Sequence, residues 1–403
     1  MPTFNMKPRE VIGMESIEKI MKKSNIRQTL EPLYQDDKLI DEGNWDKYLR
    51  EFEGIKSNVP TREFWKDKKV LVTGVGGFVG SNIAEKLIKL GSRVIGIIRT
   101  PELHKYPNLH DLEDSIELHV CDLTDYGHVD EIVKEEKPEI LFHYAAISFV
   151  PTSLKEPNRV FQNNVSSAIN LLKAISKHGQ SSIQAIYTAL SSEQYGYMTH
   201  LDEFPVKENQ IFRPTSPYSV SKIATEYIGE SFFYNSKLPV LRIRTFNQES
   251  VGNPEKMRRA RDDRFFTMVV AKQIAEYQSG ERDKIIIQNP NSLRDFTHIR
   301  DSVAAHLLGV EKCKPNEPYN VCSGYGILTG DFTKIACHLY DISEDKIYCD
   351  TSKLRPYEMY GDALVHGFVG DNTKFCQETG WRPTLSLEDI IKESVEYQES
   401  RVP

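Results

Sequence analysis

A glycine-rich turn between an apolar strand and an amphipathic helix constrains the fold of this chain more than any other feature. Gly74, Gly77 and Gly80 stand three apart between a predicted strand at 68–73 and a predicted helix at 78–90. Without a Cβ, Gly74 permits a tight turn, Gly77 lets the backbone approach a pyrophosphate, and Gly80 lets the helix pack closely on the sheet. The N-terminus of the helix presents free N–H groups to an anion, so the turn predicts a dinucleotide site.

Strands and helices alternate from residue 68 onward, which indicates a parallel sheet. Strands are predicted at 68–73, 92–98, 116–121, 139–143, 183–190 and 238–245. Helices are predicted at 78–90, 126–135, 158–178 and 217–235. After residue 250 shorter elements follow, with helices at 264–279, 300–312, 329–340 and 386–399 and strands at 284–287 and 318–321. We therefore predict an α/β fold: a doubly wound parallel (Rossmann) sheet with a smaller C-terminal substrate-binding lobe that closes over the carboxyl edge of the sheet.

Three segments follow from this pattern. Residues 1–60 form a partly helical N-terminal extension, 61–250 the dinucleotide-binding domain, and 251–403 the substrate-binding lobe, which can interleave with the sheet. Helices are expected in the extension at 16–23 and 44–52, the second with Trp45, Tyr48, Leu49 and Phe52 on one face. That apolar face favours docking onto the body or a second subunit, and a partly disordered tail is the alternative.

Charge and cysteine content exclude several classes of protein. The net charge of −7 argues against general nucleic-acid binding. The six cysteines contain no Cys-x-x-Cys pair, so we expect reduced thiols and predict no disulfide frame and no metal site. The N-terminus lacks a signal-peptide apolar core, and no apolar run is long enough to span a membrane. We expect a cytoplasmic enzyme.

Residues at the strand ends are the candidates for binding the rest of the cofactor. Arg99 ends the second strand, where an NAD site usually has an acidic residue, so it favours the 2′-phosphate of NADP. The alternatives are NAD as cofactor and a solvated surface arginine. Asp122 follows the third strand and is a candidate for the adenine edge. Ala145 and Ala146 follow the fourth strand, where small side chains let a flat cofactor lie against the backbone.

Tyr218 and Lys222 are the strongest catalytic candidates. A spacing of four puts both side chains on one face of a helix that Pro217 can begin. A nearby ammonium favours phenolate, so we expect the pKa of Tyr218 to fall toward the working pH. The lysine can also hold the nicotinamide ribose. A surface Tyr–Lys pair of no function is the alternative.

Ser191 and Glu193 lie at the end of the fifth predicted strand. Ser191 can hydrogen-bond the substrate hydroxyl that Tyr218 deprotonates. Glu193 can take a proton from a carbon beside a ketone or deliver one to a leaving hydroxyl, and the alternative is a residue that only binds substrate.

Together these residues resemble the extended short-chain dehydrogenase family, which acts on nucleotide-diphosphate sugars. The resemblance runs from about residue 66 to 398. Within the family, the chain is most similar to the branch of GDP-mannose 4,6-dehydratase and GDP-4-keto-6-deoxymannose reductase. Its motifs are the glycine turn, Ser-Ser-Glu-Gln-Tyr-Gly at 191–196, Tyr218/Lys222, Arg-Thr-Phe-Asn at 244–247, Arg-Asp-Phe-Thr-His-Ile-Arg-Asp at 294–301, Tyr-Asn-Val-Cys-Ser-Gly at 319–324, Leu-Arg-Pro-Tyr-Glu at 354–358 and Gly-Trp-Arg-Pro at 380–383. Phe-Asn-Gln-Glu-Ser at 246–250 resembles the dehydratase, whereas the motifs at 294–297 and 319–324 resemble the reductase.

The resemblance implies contacts to both ligands. The cofactor would be held by Gly74, Gly77, Phe78, Val79, Arg99, Asp122, Leu123, Ala145, Ala146, Tyr218 and Lys222. The sugar nucleotide would be held by Asn247, Arg294, Arg355 and Glu358, since a diphosphate favours forked guanidinium pairing. Structural ion pairs of Arg294 with Asp295 and of Arg355 with Glu358 are the alternative for the arginines.

The activity that the resemblance implies is an NADP-dependent 4,6-dehydratase of the GDP-mannose type, working as a dimer or tetramer without nucleic acid or membrane. An NADPH-dependent 4-keto sugar reductase is the first alternative and an epimerase the second. A non-catalytic dinucleotide-binding regulator would not need Ser191, Tyr218 and Lys222 together.

Overall fold

A seven-stranded parallel sheet forms the centre of the chain. The structure is a computed structural model, and it describes residues 12–13, 54–196, 198, 203–350, 352 and 366–402. The strands are β1 (Ile12–Gly13), β2 (Lys69–Thr73), β3 (Arg93–Ile98), β4 (Ile116–Val120), β5 (Ile140–His143), β6 (Ala185–Ser191), β7 (Val240–Thr245), β8 (Asn247–Glu249), β9 (Val251–Asn253), β10 (Arg258–Ala260), β11 (Ile285–Ile287), β12 (Ser292–His298), β13 (Pro318–Val321), β14 (Gly326–Leu328), β15 (Ile347–Cys349) and β16 (His366–Gly367).

Helices cover both faces of that sheet and build the lobe. They are α1 (Arg62–Trp65), α2 (Phe78–Leu90), α3 (Tyr126–Glu136), α4 (Val150–Lys155), α5 (Pro157–Ala174), α6 (Pro217–Ser236), α7 (Phe266–Gln278), α8 (Ile299–Lys312), α9 (Thr329–Leu339), α10 (Thr373–Thr379) and α11 (Leu387–Glu399). In the part of the chain that the structure describes, no helix has the length and apolar character needed to cross a membrane.

The order of the strands creates the ligand crevice. The sheet runs β13-β7-β6-β5-β2-β3-β4, and every neighbouring pair is parallel. The prediction of a doubly wound parallel sheet is confirmed. From β2 the chain adds β3 and β4 on one side, and then β5, β6, β7 and β13 on the other side. The connections that follow β2 and β5 therefore lie on opposite faces of the sheet. Doubly wound folds bind ligands at the carboxyl edge beside such a switch point.

Alternation of apolar side chains explains why the sheet is buried on both faces. Within β2, Val70 and Val72 join one apolar cluster together with residues of α2 and α8. Leu71 points the other way, into a second cluster with residues of α3 and α5. Since both faces are covered, the central strands β2, β3 and β5 are nearly continuous apolar runs, as is usual in parallel sheets.

The C-terminal lobe is smaller and interleaves with the sheet. Its apolar core joins α7, α9 and α11 with β11 and β15. The predicted strand at 318–321 is confirmed as β13, and it interleaves with the main sheet as the edge strand beside β7. Tyr319 and Val321 bury their side chains in the core of the sheet, which accounts for the placement. The boundary at residue 250 stays a proposal.

The end of the N-terminal extension docks on the C-terminal part of the chain. Asn58 donates its backbone N–H to the Gly380 carbonyl at 3.0 Å and its side-chain amide to the Thr379 carbonyl at 2.8 Å. The Ser57 hydroxyl accepts from the Arg382 N–H at 2.9 Å. Farther upstream, β1 pairs antiparallel with β15. The predicted helices at 16–23 and 44–52 lie outside the described residues.

Candidate functional site

A cavity of about 1220 Å³ opens at the carboxyl ends of the central strands, between the sheet and the lobe. Pockets for a single small ligand usually have volumes of about 300–1,000 Å³, so this cavity has room for two ligands side by side. Its walls include the glycine turn, the ends of β3, β5 and β6, the start of α6, and the segment that follows β7.

The glycine turn has the geometry that a dinucleotide requires. Gly74 has φ +68°, and a Cβ there would lie 2.8 Å from the backbone nitrogen of Ala145. At Gly77, which precedes the first residue of α2, a Cβ would lie 3.2 Å from the Gly74 carbonyl oxygen. The backbone and the free N–H groups of α2 are therefore open to a pyrophosphate, and the residues present fit a dinucleotide.

Glycine is required at position 80 for a different reason from the one that we predicted. A Cβ on Gly80 would overlap the Gly74 carbonyl oxygen and lie 2.8 Å from the Gly74 carbonyl carbon. The missing side chain thus lets α2 close onto its own turn, rather than onto the sheet. Phe78 and Val79, the first two residues of α2, line the cavity as expected.

Arg99 lies at the end of β3 and lines the cavity. Its guanidinium Nη2 donates to the Asn163 side-chain oxygen at 2.6 Å. The backbone N–H groups of Arg99 and Thr100 both donate to the Tyr106 hydroxyl, at 3.1 and 3.0 Å. The backbone and the side chain of Arg99 are therefore each held by another part of the fold. This favours an ordered guanidinium over the alternative of a freely solvated arginine.

Asp122 is placed differently from its neighbours. Cys121 and Leu123 line the cavity, as do Ala145 and Ala146, but Asp122 is exposed and is not among the lining residues. Its carboxylate accepts hydrogen bonds from the backbone N–H and the hydroxyl of Thr124, at 2.9 and 2.8 Å. The structure therefore uses this carboxylate to shape the loop after β4.

Tyr218 and Lys222 lie side by side at the start of α6, as the spacing predicted. The Ser216 hydroxyl caps this helix by accepting from the Ser219 N–H at 3.1 Å, and Pro217 is its first residue. The Lys222 ammonium donates to the Ala189 carbonyl at 2.6 Å and lies 5.9 Å from the centre of the Tyr218 ring. Both side chains line the cavity while being almost fully buried.

Burial dominates the acid–base properties of this pair. It raises the pKa of Tyr218 to about 12; a hydrogen bond with Ser191 acts in the opposite direction, and the charge of Glu193 adds to the rise. Burial also lowers the pKa of Lys222 to about 8. The expected fall of the tyrosine pKa is therefore wrong for this structure, because loss of water around the phenol raises the pKa more than the hydrogen bond with Ser191 and the charge of Arg261 lower it.

The turn after β6 brings Ser191 and Glu193 to the same place. β6 ends at Ser191, and a short 3₁₀ turn, Ser192–Gln194, follows. The Ser191 hydroxyl accepts from the Glu193 N–H at 3.2 Å, and both residues line the cavity. A hydroxyl, a phenol, an ammonium and a carboxylate thus converge at the carboxyl edge of the sheet.

The predicted substrate residues that the structure describes lie on the opposite wall. β8 pairs parallel with β12, with Asn247 opposite Phe296, and Arg294 is two residues before Phe296 on the same face of the strand. Asn247 and Arg294 both line the cavity. Asp295 points to the other face, where it accepts from the backbone N–H groups of Ser323 and Gly324 at 2.8 and 3.0 Å. Arg355 and Glu358 lie outside the described residues.

Sequence reasoning missed the residues that join the two walls. Glu249 is buried and lines the cavity; it accepts from the Thr267 hydroxyl at 2.6 Å, and burial raises its pKa. Arg261 lies 3.8 Å from Glu249, and its guanidinium stacks 3.6 Å from the ring centre of Phe265. Two signals were available: Glu249 stands two residues after Asn247, and 258–264 is rich in arginine within an acidic chain.

Comparison with known proteins gives a consistent family. Residues 71–394 match the family model described as GDP-mannose 4,6 dehydratase. A GDP-mannose 4,6-dehydratase of Yersinia enterocolitica is 26% identical over 359 residues, covering 81% of this chain and 93% of that protein. The human GDP-mannose 4,6 dehydratase is 27% identical over 355 residues, covering 83% of this chain and 92% of that protein.

Solved structures agree on the fold. RMD from Pseudomonas aeruginosa, complexed with NADPH, aligns with a TM-score of 0.67 at 23% identity, covering 83% of this chain and all of that one. UDP-glucose 4-epimerase from Thermotoga maritima, with UDP-glucose, aligns with a TM-score of 0.70 at 24% identity, covering 83% of this chain and 99% of that one. At these identities the likeness shows the shared fold.

Proposed function

We propose that this chain, which belongs to the GDP-mannose 4,6-dehydratase family, converts GDP-mannose to a 4-keto-6-deoxy sugar nucleotide. The observation that carries the proposal is the convergence of Ser191, Glu193, Tyr218 and Lys222 in one cavity with the glycine turn. A ketone reduction requires a proton donor and a hydride source, whereas the removal of water also requires a group that handles a proton at carbon. We assign that role to Glu193, because it is a carboxylate residue that lines the cavity.

The cofactor is a nicotinamide dinucleotide, and we propose that it is NADP. When bound in oxidised form it supplies a hydride acceptor and a positive charge that favours the phenolate of Tyr218. Arg99 supports the 2′-phosphate, since its guanidinium is anchored at the end of β3 by Asn163.

Each of the converging residues has a distinct task. Tyr218 accepts the proton of the sugar 4-hydroxyl, and the hydrogen bond with Ser191 acts to lower the pKa of the phenol. Lys222, fixed by the Ala189 carbonyl, keeps a positive charge beneath the phenol below its pKa of about 8. Glu193 removes the C5 proton and returns a proton to the departing 6-hydroxyl. The hydride taken from C4 returns to C6, and Tyr218 gives C5 the proton that it took from the 4-hydroxyl. The reaction therefore uses no net reductant and leaves Tyr218 as it began.

The substrate wall fits a nucleoside diphosphate. Arg294 is suited to the diphosphate, and Asn247 beside it can hydrogen-bond the sugar or the phosphate. We propose the same ligand for Arg355 and Glu358, on the resemblance alone.

We also propose that the chain works as a homo-oligomer through α5 and α6. These helices pack against each other. Val220, Tyr227 and Tyr234 recur every seven residues on α6 and are exposed, and exposed Phe161 and Ile169 lie on α5. A twofold axis would let the same apolar face of a second copy cover this surface. Sedimentation of a Tyr227→Glu variant as a smaller species would support it; an unchanged sedimentation coefficient would count against it.

The test of the reaction is mass spectrometry of sugar nucleotides incubated with the purified enzyme, with and without added NADPH. Loss of water from GDP-mannose without added cofactor is the expected result. A gain of two hydrogens that depends on NADPH would identify a reductase, and an isomer of unchanged mass would identify an epimerase.

The Glu193→Gln variant tests the proposed role of the carboxylate. It keeps shape and hydrogen bonding but cannot ionise, so it should stop after oxidation at C4 and accumulate reduced cofactor, visible as nicotinamide absorbance. Glu139→Gln, which alters a carboxylate bonded to Lys68 at the opposite edge of the sheet, is the control. Turnover of Glu193→Gln within about threefold of normal would favour the reductase, because general acid–base catalysis is worth about 10²–10⁴-fold.

A further inference from the structure

A buried polar network lies directly behind the converging residues. Tyr218, Lys222 and Glu226 follow one another at intervals of four on α6, so they share one face of the helix. The Glu226 carboxylate is 1% exposed. It accepts from Nη2 of Arg244 at 2.6 Å and from Nε of Arg242 at 2.9 Å. Burial acts to raise the pKa of Glu226, but the hydrogen bond and charge of Arg244 outweigh it, so the pKa is lowered and the group is a carboxylate at neutral pH.

One side chain links this carboxylate to the turn after β6. Gln194 is fully buried, and its amide nitrogen donates to Glu226 at 2.5 Å. Its amide oxygen accepts from the backbone N–H of Ser191 at 2.9 Å. The amide is thereby used once as donor and once as acceptor, which fixes its orientation. A buried apolar residue in its place would leave the Ser191 N–H without a partner.

We propose that Gln194 and Glu226 are positioning residues that set the separation between the Ser191–Glu193 turn and the face of α6 that carries Tyr218 and Lys222. The inference rests on the proposed function for the tasks of those four residues. The Lys222 ammonium ties α6 to the Ala189 carbonyl of β6 at 2.6 Å, but the turn that carries Ser191 and Glu193 lies beyond that contact and needs its own constraint against α6. The Gln194–Glu226 bridge supplies that constraint from behind, away from the ligands.

The bridge acts on the reaction through the geometry of the reacting groups and not through its charge. A displacement of about 1 Å at a reacting group can cost about 10²-fold in rate. Substitution of Gln194 should therefore reduce kcat through a displaced Ser191 and Glu193, and leave the opposite wall, with Asn247 and Arg294, able to bind the sugar nucleotide. A role in stability alone would lower the melting temperature without this separation of kcat from KM.

The experiment uses the full chain and three variants at the bridge. Gln194→Met keeps the length of the side chain and removes both hydrogen bonds. Gln194→Glu places a second carboxylate against Glu226. The double variant Gln194→Glu/Glu226→Gln exchanges the two groups, so the new carboxylate can accept both from Ser191 and from the new amide. Thr379→Val is the matched control, since the Thr379 hydroxyl donates to Phe375 and accepts from Trp381 far from the cavity.

The expected results separate positioning from stability. Gln194→Met should lower kcat about tenfold or more, with the KM for GDP-mannose within about twofold, and should speed hydrogen exchange of the Ser191 amide. Gln194→Glu should lower kcat further than Gln194→Met does. The double variant should recover much of the lost kcat, because the two residues are coupled. Thr379→Val should lower the melting temperature and leave kcat unchanged.

Two results would overturn the inference: kcat of Gln194→Met within about twofold of normal, or no recovery in the double variant. The proposed function fails separately, if the unmodified enzyme forms no dehydrated product. Exchange of the Ser191 amide then tests the bridge alone, and unchanged exchange in Gln194→Met overturns it.

Discussion

Replacement of Lys222 by methionine should abolish turnover without destabilising the protein at neutral pH. Burial lowers the pKa of this lysine from its ordinary value of 10.5 to about 8. One unit of pKa corresponds to about 1.4 kcal/mol, so keeping the ammonium charged inside the fold costs about 3 kcal/mol at pH 7. Methionine has a similar length and carries no charge, and its burial avoids this cost.

The cost has a defined dependence on pH. Between pH 8 and 10.5 the folded chain holds fewer protons on Lys222 than the unfolded chain does, so this group makes stability rise with pH through that window. The cost falls from about 3 kcal/mol at pH 7 to about 2 kcal/mol at pH 9. Other groups titrate in this range too, but they are common to both proteins and cancel when the variant is compared with the unmodified chain.

A lost hydrogen bond partly offsets the gain. The Lys222 ammonium donates to the Ala189 carbonyl at 2.6 Å, and an unsatisfied buried carbonyl costs about 1–3 kcal/mol. The Lys222→Met protein should therefore be about 0–2 kcal/mol more stable at pH 7. Its turnover should fall by about 10²–10⁴-fold, because the phenol loses its charged neighbour.

The assay is urea unfolding at pH 7, 8 and 9 on both proteins after removal of bound nucleotide. The stability advantage of Lys222→Met should shrink by about 1 kcal/mol between pH 7 and pH 9. Lys69→Met, which removes a lysine bonded to the Glu136 carbonyl at the opposite edge of the sheet, controls for the hydrogen bond itself. A variant that is less stable by the same amount at all three pH values would refute the reasoning.

Three further changes test the cofactor site and the extension. Arg99→Asp should reverse the preference for NADP over NAD, measured by quenching of protein fluorescence with each reduced cofactor; equal affinities in the unmodified protein would contradict the proposal. Gly80→Ala should cost about 1–3 kcal/mol and weaken cofactor binding, since its Cβ meets backbone, whereas Gly179→Ala, where the nearest atom is 3.5 Å away, should cost little. A chain starting at residue 61 should melt below one starting at residue 54, because it loses three hydrogen bonds to the end of α10 and the loop that follows; equal melting temperatures would show that this contact adds nothing.

The local elements and the main motifs could be predicted from the sequence because their causes are local. A strand in a parallel sheet needs a short apolar run, and α2 needs a glycine turn before it, so β2 and α2 were predicted within one residue of their observed bounds. The Tyr218/Lys222 pair follows from the helical period alone. β8 escaped prediction because it has only three residues, and β12 because it is defined by pairing with distant segments.

What the tertiary structure alone decided is which groups share an environment. β13 lies in the main sheet because Tyr319 and Val321 pack into the core of that sheet. The sequence of the segment alone does not predict this packing. The pKa of Tyr218 rises because of burial, which depends on the whole fold and cannot be read from the spacing of the motif. The bridge from Gln194 to Glu226 joins residues 32 positions apart, and no periodicity in the sequence predicts this contact. Sequence determines local geometry through short-range sterics, whereas solvation and long-range pairing exist only once the chain has folded.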